Sequence, residues 1–440
     1  MTTLVRSGPL PATAVSRLRL SGHCLSDQES KLARAGRALK RGRATAARRL
    51  YEQVLAADPE SRPAHAGLFY ACTALGDAHA AAVYLARALM LRSIITLPYR
   101  GMGEPVSILL LQSIQAGNAL VQRLLDDRIF ATHVLLVEFY QQGTPLPPHD
   151  VVFNAIGDAD IRAEALAASQ AVLMQTDAPV LNAPQAVLAT TRVGNANRFV
   201  GIPGIRTART VSLPQAVLVT AEANSVLAAH GLSFPLLLRA PGFHMGKHFV
   251  RVERPSELRE VVDGLGKRLG KTGSTTPESN LLVMEFLDGR GADDLYRKYR
   301  VLFVDGQMLP VHLAACEDWK IHYFSAEMAQ HPERRAEDER FLASMPAVLG
   351  PGVMSALTAI RDTLALDYAG VDFGVDSEGN LLLYEANANM AVIRPGPEVI
   401  WDYRRPAIER IYTAVHAMLR RRASQAREAL SESSAVPRQG

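Results

Sequence analysis

Residues 369–389, AGVDFGVDSEGNLLLYEANAN, constrain the fold more than any other stretch of the chain. Apolar and polar residues alternate on both sides of Ser377, Glu378, Gly379 and Asn380, a group rich in residues that tolerate positive φ, so the segment reads as a β-hairpin. With the turn centred between Glu378 and Gly379, Asp372 falls opposite Glu385, Phe373 opposite Tyr384 and Val375 opposite Leu382. Alternation puts Asn387 on the face of Glu385 and turns Val371, Phe373, Val375, Leu382 and Tyr384 toward a core. Opposed carboxylates with β-carbons about 5 Å apart repel unless one is protonated or a cation lies between them. Asp372, Glu385 and Asn387 offer the hard oxygen donors that Mg²⁺ takes, commonly together with nucleotide phosphates, and Mn²⁺ is an acceptable substitute.

A chain of 440 residues divides into two or three domains. Its 48% apolar and 21% charged content, without a run of eighteen apolar residues, predicts a folded globular protein. The N-terminus lacks the continuous apolar stretch of a signal peptide, so a cytoplasmic location and no membrane partner are expected. Cys24, Cys72 and Cys316 lie too far apart for a disulfide framework or a zinc site. A net charge of +4 is slight, and it gives no support for a nucleic-acid partner despite local clusters such as Arg420, Arg421 and Arg422.

Residues 1–27 read as a loose leader. From 28 to 92 the chain repeats at a period of 34, with Gly42 recurring as Gly76 and Leu55 as Leu89. These repeats resemble tetratricopeptide units. Two are few for a free-standing solenoid, so residues 104–126 are expected to form a capping helix, completing an all-α module over 28–126. The module is expected either to bind a protein or peptide partner or to support folding and homo-oligomer formation. At about 129 the pattern becomes strand, strand, helix, strand, which predicts an α/β domain with a largely parallel sheet over 129–190. Beyond it come a helix at 192–201, a strand at 234–240, a glycine-containing loop at 241–247 and a helix at 255–269. A polar loop at 271–279, the strand LLVMEF and a ribbon turning at Asp305-Gly306 follow. A helix at 352–366 leads into the hairpin, and a basic helix over about 403–430 finishes the chain, with 416–440 as its tail.

Asp372, then Glu385 thirteen positions on, then Asn387, resembles the metal-binding signature of ATP-grasp enzymes such as D-alanyl-D-alanine ligases, glutathione synthetases and ribosomal-protein glutamate ligases. The likeness runs from about 130 to 415. It implies an α/β (α+β) ATP-grasp fold with a pre-ATP-grasp domain at 129–190 and a catalytic domain at 191–415, its lobes being 191–287 and 288–415. It implies that ATP phosphates meet Arg192 and Arg239, at positions usually held by lysine, and a closing loop with Gly242, His244, Gly246 and Lys247. The adenine would sit against the hinge Met284, Glu285, Phe286 and Leu287, and Asp293 or Asp294 would take the ribose. Arg300 would lie near the transferred phosphoryl group, and Lys320, beside Glu317, Trp319 and His322, would stabilise its charge. Arg394 would capture a substrate carboxylate, although the usual Pro-Gly pair after the asparagine is replaced here by ANMAVIRPG.

The resemblance implies an ADP-forming ligase that uses ATP and Mg²⁺ to join a small-molecule or peptide carboxylate to an amine through an acyl phosphate. Two alternatives stay open: an ATP-grasp small-molecule kinase, and a non-catalytic scaffold in which the arginines mark a degenerate nucleotide site. No GxSxG or local nucleophilic cysteine motif competes with these readings.

Overall fold

The computed structural model describes residues 27–91, 93–243, 247–270, 280–323 and 326–435. The loose leader up to residue 26, His244, Gly246 and the polar loop 271–279 lie outside the described residues.

Four consecutive helices open the described chain: α1 (Asp27–Lys40), α2 (Ala44–Ala57), α3 (Arg62–Ala74) and α4 (Ala78–Met90). Gly42 and Gly76 take positive φ, 72° and 77°, at the two corresponding turns. Small residues allow close packing: Ala35, Ala47 and Ala64 are fully buried around Tyr51, Val54 and Leu68. Asp77 caps α4 by accepting from the Ala80 N–H at 3.0 Å.

The first sheet joins β1 (Ile94–Thr96), β2 (Val106–Gln112), β3 (Phe130–Leu136), β4 (Val151–Asn154) and β5 (Val180–Leu181) in the order β1-β3-β2-β4-β5. It is parallel except at its β1 edge. The expected capping helix over 104–126 is therefore incorrect, because β2 is the central strand and the sheet begins within the stretch assigned to the helical module. Ile108, Leu109, Leu110 and Leu111 are all 0% exposed. A short apolar run covered on both faces has no periodicity to distinguish strand from helix. Helix α5 (Ala163–Leu173) covers this sheet, and α6 (Pro184–Leu188) follows β5.

The chain then runs through α7 (Arg192–Arg198), β6 (Ile205–Thr207), β7 (Thr210–Pro214), α8 (Gln215–Leu218), α9 (Ala223–Ala229), β8 (Leu236–Arg239), β9 (Phe249–Val252), α10 (Leu258–Gly270) and β10 (Asn280–Glu285). Strands β7-β10-β8-β9 make a second, antiparallel sheet. The long strands β11 (Tyr296–Val304) and β12 (Gln307–Cys316) precede α11 (Pro332–Ala343) and α12 (Met345–Leu364), then β13 (Tyr368–Val375), β14 (Leu381–Asn387) and α13 (Arg405–Ala435). Their sheet is ordered β12-β11-β13-β14-β6. Its core face shares one apolar cluster with the first sheet, in which Leu109 and Val152 join Val301, Phe373 and Leu383.

The hairpin register holds where the carboxylates lie and fails toward the turn. Asp372 pairs with Glu385 and Gly370 with Asn387, but Phe373 pairs with Leu383 and Val375 with Leu381. Tyr384 is the extra residue of this bulge, and it packs where glycines leave room: a Cβ on Gly374 would stand 2.2 Å from its hydroxyl. The basic run of α13 is engaged in ion pairs. Arg421 pairs with Asp305, and Arg422 and Arg427 reach Asp367 and Asp150 at 2.7 Å each.

Candidate functional site

Alternation along β11 sends Tyr299, Val301 and Phe303 into the core and Lys298 and Arg300 to the opposite face. Arg300 lies directly across from Asp372 on β13. Its Nε and Nη2 donate to Oδ1 and Oδ2 of Asp372 at 2.6 and 2.8 Å, and Lys298 Nζ stands 3.3 Å from Oδ2. Only 3% of Asp372 is exposed. Burial alone would push its pKa up, but the charges of Arg300 and then Lys298 prevail and hold it well below the usual carboxylate range.

A second charged group surrounds Glu385. Arg192, at the start of α7, donates through Nη2 to Glu385 Oε1 at 2.6 Å and through Nη1 to Asp160. Thr191 fixes the start of that helix by accepting from the Gly194 N–H at 3.0 Å. Burial works against the charge on Arg192, yet Glu385, Asp160 and Asp158 raise its pKa. Arg239, at the end of β8, approaches Glu385 to 3.9 Å and donates to the Phe243 carbonyl at 3.1 Å. Burial lowers the pKa of Arg239. Asn387 donates to Glu385 Oε1 at 3.0 Å.

Arg192, Arg239, Arg300, Asp372, Glu385 and Asn387 are thus brought together from five elements. Beside them the second sheet presents an apolar shelf of Leu237, Leu282 and Met284, with Phe249, Phe286 and Trp319 packed against it. The Glu285 N–H is already committed to the Arg209 carbonyl at 2.9 Å, so that group is not open to an adenine edge. Leu287 follows half-buried. Gly242 adopts a φ of 77° in the loop between β8 and β9, and Lys247 in the same loop is exposed. Lys320 reaches across to the Phe249 carbonyl at 2.9 Å, and burial lowers its pKa.

Three expected residues are paired outside the charged cluster. Asp293 is held by Arg297 at 2.6 and 2.9 Å, and Arg297 in turn grips Glu337 on α11. Asp294 is exposed, with Arg290 at 3.8 Å. Arg394 pairs with Glu409 at 3.0 Å and lies 3.8 Å from the centre of the Tyr412 ring, at the rim of a neighbouring cavity. Conversely, Asp160, Lys298 and His312 line this region without having been singled out. The period of two along β11 pairs Lys298 with Arg300; His312 opposes Arg300 only through a β11–β12 register that slips at the next residue.

The donor chemistry of Asp372, Glu385 and Asn387 fits a hard divalent cation. Both carboxylates are compensated by basic side chains, so a cation arriving with a polyphosphate would take over carboxylates that the arginines now hold, freeing guanidinium groups for phosphate oxygens. Among the described residues no group of three or more His, Cys, Asp or Glu forms a separate metal site.

Residues 38–92 match the family model of the tetratricopeptide repeat. No curated protein matches the chain. Among solved structures it is similar to a RimK-domain ATP-grasp protein from Sphaerobacter thermophilus, at 13% identity and a TM-score of 0.42, over 71% of this chain and 99% of that one. The D-alanine-D-alanine ligase from Coxiella burnetii gives 12% and 0.43, over 75% and 97%. The VanG D-Ala:D-Ser ligase from Enterococcus faecalis gives 13% and 0.45, over 73% and 100%. Likenesses this distant carry no activity across. The acidic hairpin lies in the third sheet, and the helical module that matches the tetratricopeptide model precedes all three sheets.

Proposed function

We propose that the protein is an ATP- and Mg²⁺-dependent ligase that joins a carboxylate to an amine. The observation that carries this reading is the charged cluster in which Arg300 and Lys298 face Asp372 while Arg192 and Arg239 face Glu385, next to the apolar shelf around Met284. Asp372, Glu385 and Asn387 would hold the magnesium, whose charge offsets that of the polyphosphate. Arg192 and Arg239 orient the β- and γ-phosphates, and the shelf takes the adenine. Arg300 sits where negative charge develops as a carboxylate oxygen attacks the γ-phosphorus and the bond to the β-phosphate oxygen breaks, releasing ADP. An amine then attacks the acyl carbon, phosphate leaves with the electron pair of the C–O bond, and the amine gives up a proton. No protein nucleophile is needed. The helical module, which matches the tetratricopeptide model, supports docking of a protein or peptide partner.

The test is ADP and phosphate release from ATP and Mg²⁺ with pooled amino acids and peptides, which Asp372→Asn and Glu385→Gln should abolish. A phosphorylated hydroxyl and no amide would make the protein a kinase. Absence of nucleotide binding would leave the scaffold.

A further inference from the structure

A cavity of about 220 Å³ adjoins Lys298 and Arg300. The same two side chains that grip Asp372 form part of its wall, so the cavity and the acidic hairpin share a boundary. His312 lines it from β12; it is 7% exposed, and its Nε2 has no hydrogen-bond partner among the described residues. Val311, Tyr323, Ala391, Ile393, Pro395 and Trp401 supply apolar surface.

The charges in this wall do not balance. Arg404 stands 3.4 Å from Asp338, and Arg394 pairs with Glu409, so each has its own acid. Lys298 and Arg300 share the single carboxylate of Asp372. Burial keeps His312 neutral, reinforced by the charges of Arg300 and Arg404, and His322 is likewise held neutral by burial and by Lys298 and Arg300. Among the described residues no acidic side chain lines the cavity. One positive charge is therefore left over in its lining, with an imidazole nitrogen opposite Arg300 that has no partner among the described residues, and a buried charge of that kind calls for an anion.

We propose that this cavity is the pocket for the carboxylate substrate, and that the substrate is a monocarboxylate with an apolar or aromatic body. Its carboxylate rests on Lys298 and His312, next to Arg300 and hence at the edge of the phosphate site, while its body lies along Tyr323, Ile393 and Trp401. A second carboxylate on the substrate would meet apolar wall rather than a free cation, so dicarboxylates are disfavoured. The assignment rests on the ligase reading for the fate of the carboxylate, and on the cavity alone for its binding.

The chain has two tryptophans, so Trp319→Phe leaves Trp401 as the sole indole reporter in the cavity. In that background, N-acetylphenylalanine is expected to change the Trp401 emission, with a Kd at least tenfold below those of N-acetylglutamate and of N-acetylphenylalanine amide. Lys298→Met should weaken the binding of N-acetylphenylalanine at least tenfold. Because that change also touches Asp372, Ala391→Phe serves as a second variant that fills the cavity from another lining residue; it should abolish the emission change, while the same substitution in the chain that keeps Trp319 leaves binding of a non-hydrolysable ATP analogue in place. Tighter binding of the dicarboxylate, equal binding of the amide, or an unchanged response in Ala391→Phe overturns the proposal. With ATP, Mg²⁺ and hydroxylamine, an activated carboxylate is trapped as a hydroxamate. Binding without hydroxamate or ADP would sink the ligase reading and leave the pocket standing; hydroxamate from carboxylates that N-acetylphenylalanine does not compete with would sink the pocket alone.

Discussion

Arg300 and Asp372 face each other across β11 and β13 and are joined by two hydrogen bonds of 2.6 and 2.8 Å, with only 3% of Asp372 exposed. Removing one partner of such a buried pair leaves the other charge uncompensated, which costs about 3–5 kcal/mol, whereas removing both is often close to neutral. Asp372→Asn should therefore lower the melting temperature, and Arg300→Met/Asp372→Asn should recover much of the loss without restoring ADP release. A double mutant as unstable as the sum of its singles would show that the pair is not coupled.

Asp338 gives the protein a pH dependence of an unusual sign. It is 0% exposed, accepts from the Leu313 N–H and the Tyr403 hydroxyl at 2.7 Å each, and has Arg404 at 3.4 Å. Burial outweighs these contacts and pushes its pKa up to about 6. A carboxyl whose pKa is higher folded than unfolded binds more protons in the native state between those values, so its contribution favours folding at low pH and declines as pH rises through about 4 to 6, flattening above. The difference amounts to about 3 kcal/mol. Melting curves of the wild type and Asp338→Asn over pH 4–8 should diverge in that window, the variant lacking this slope; parallel curves would remove Asp338 as the cause.

The hairpin was legible because its chemistry repeats every two residues, so Asp372, Glu385 and Asn387 could be put on one face from spacing alone. What alternation does not encode is a bulge: Tyr384 slips the register because Gly374 and Gly289 leave its ring a place, a tertiary fact. Strand β2 was misread for a related reason, since Leu109 to Leu111 are apolar toward both faces. The arginines at 192 and 239 were named only through the family resemblance. Asp160, which orients Arg192, lies 32 residues before it, and nothing local couples them. The same holds for His312 and Arg300, which meet only through strand pairing.

Arg192 uses its planar fork to bridge Asp160 and Glu385, a geometry a single ammonium cannot reproduce. Although lysine is the usual residue at this position of the resembling enzymes, Arg192→Lys should weaken nucleotide binding about tenfold, or ~1.4 kcal/mol, in titration calorimetry. Affinity equal to or better than wild type would mean that the bridge is not what positions the phosphates.

Gly157 ties the first sheet to the acidic hairpin. It follows β4, and a Cβ there would stand 2.9 Å from both the carbonyl carbon and oxygen of Ala388, backbone atoms immediately after Asn387. Backbone cannot rotate away as a side chain does, so Gly157→Ala must displace the end of β14 and with it Asn387. Overpacking of this kind costs about 1–3 kcal/mol. Gly67→Ala is the matched control, because its Cβ would strike the buried Tyr51 ring at 2.2–2.5 Å inside the helical module, far along the chain from the charged cluster. Both variants should melt at lower temperature, but only Gly157→Ala should lose Mg²⁺-dependent binding of an ATP analogue under conditions where it is still folded. Equal retention of binding in the two variants would show that the contact between Gly157 and Ala388 does not set the position of Asn387.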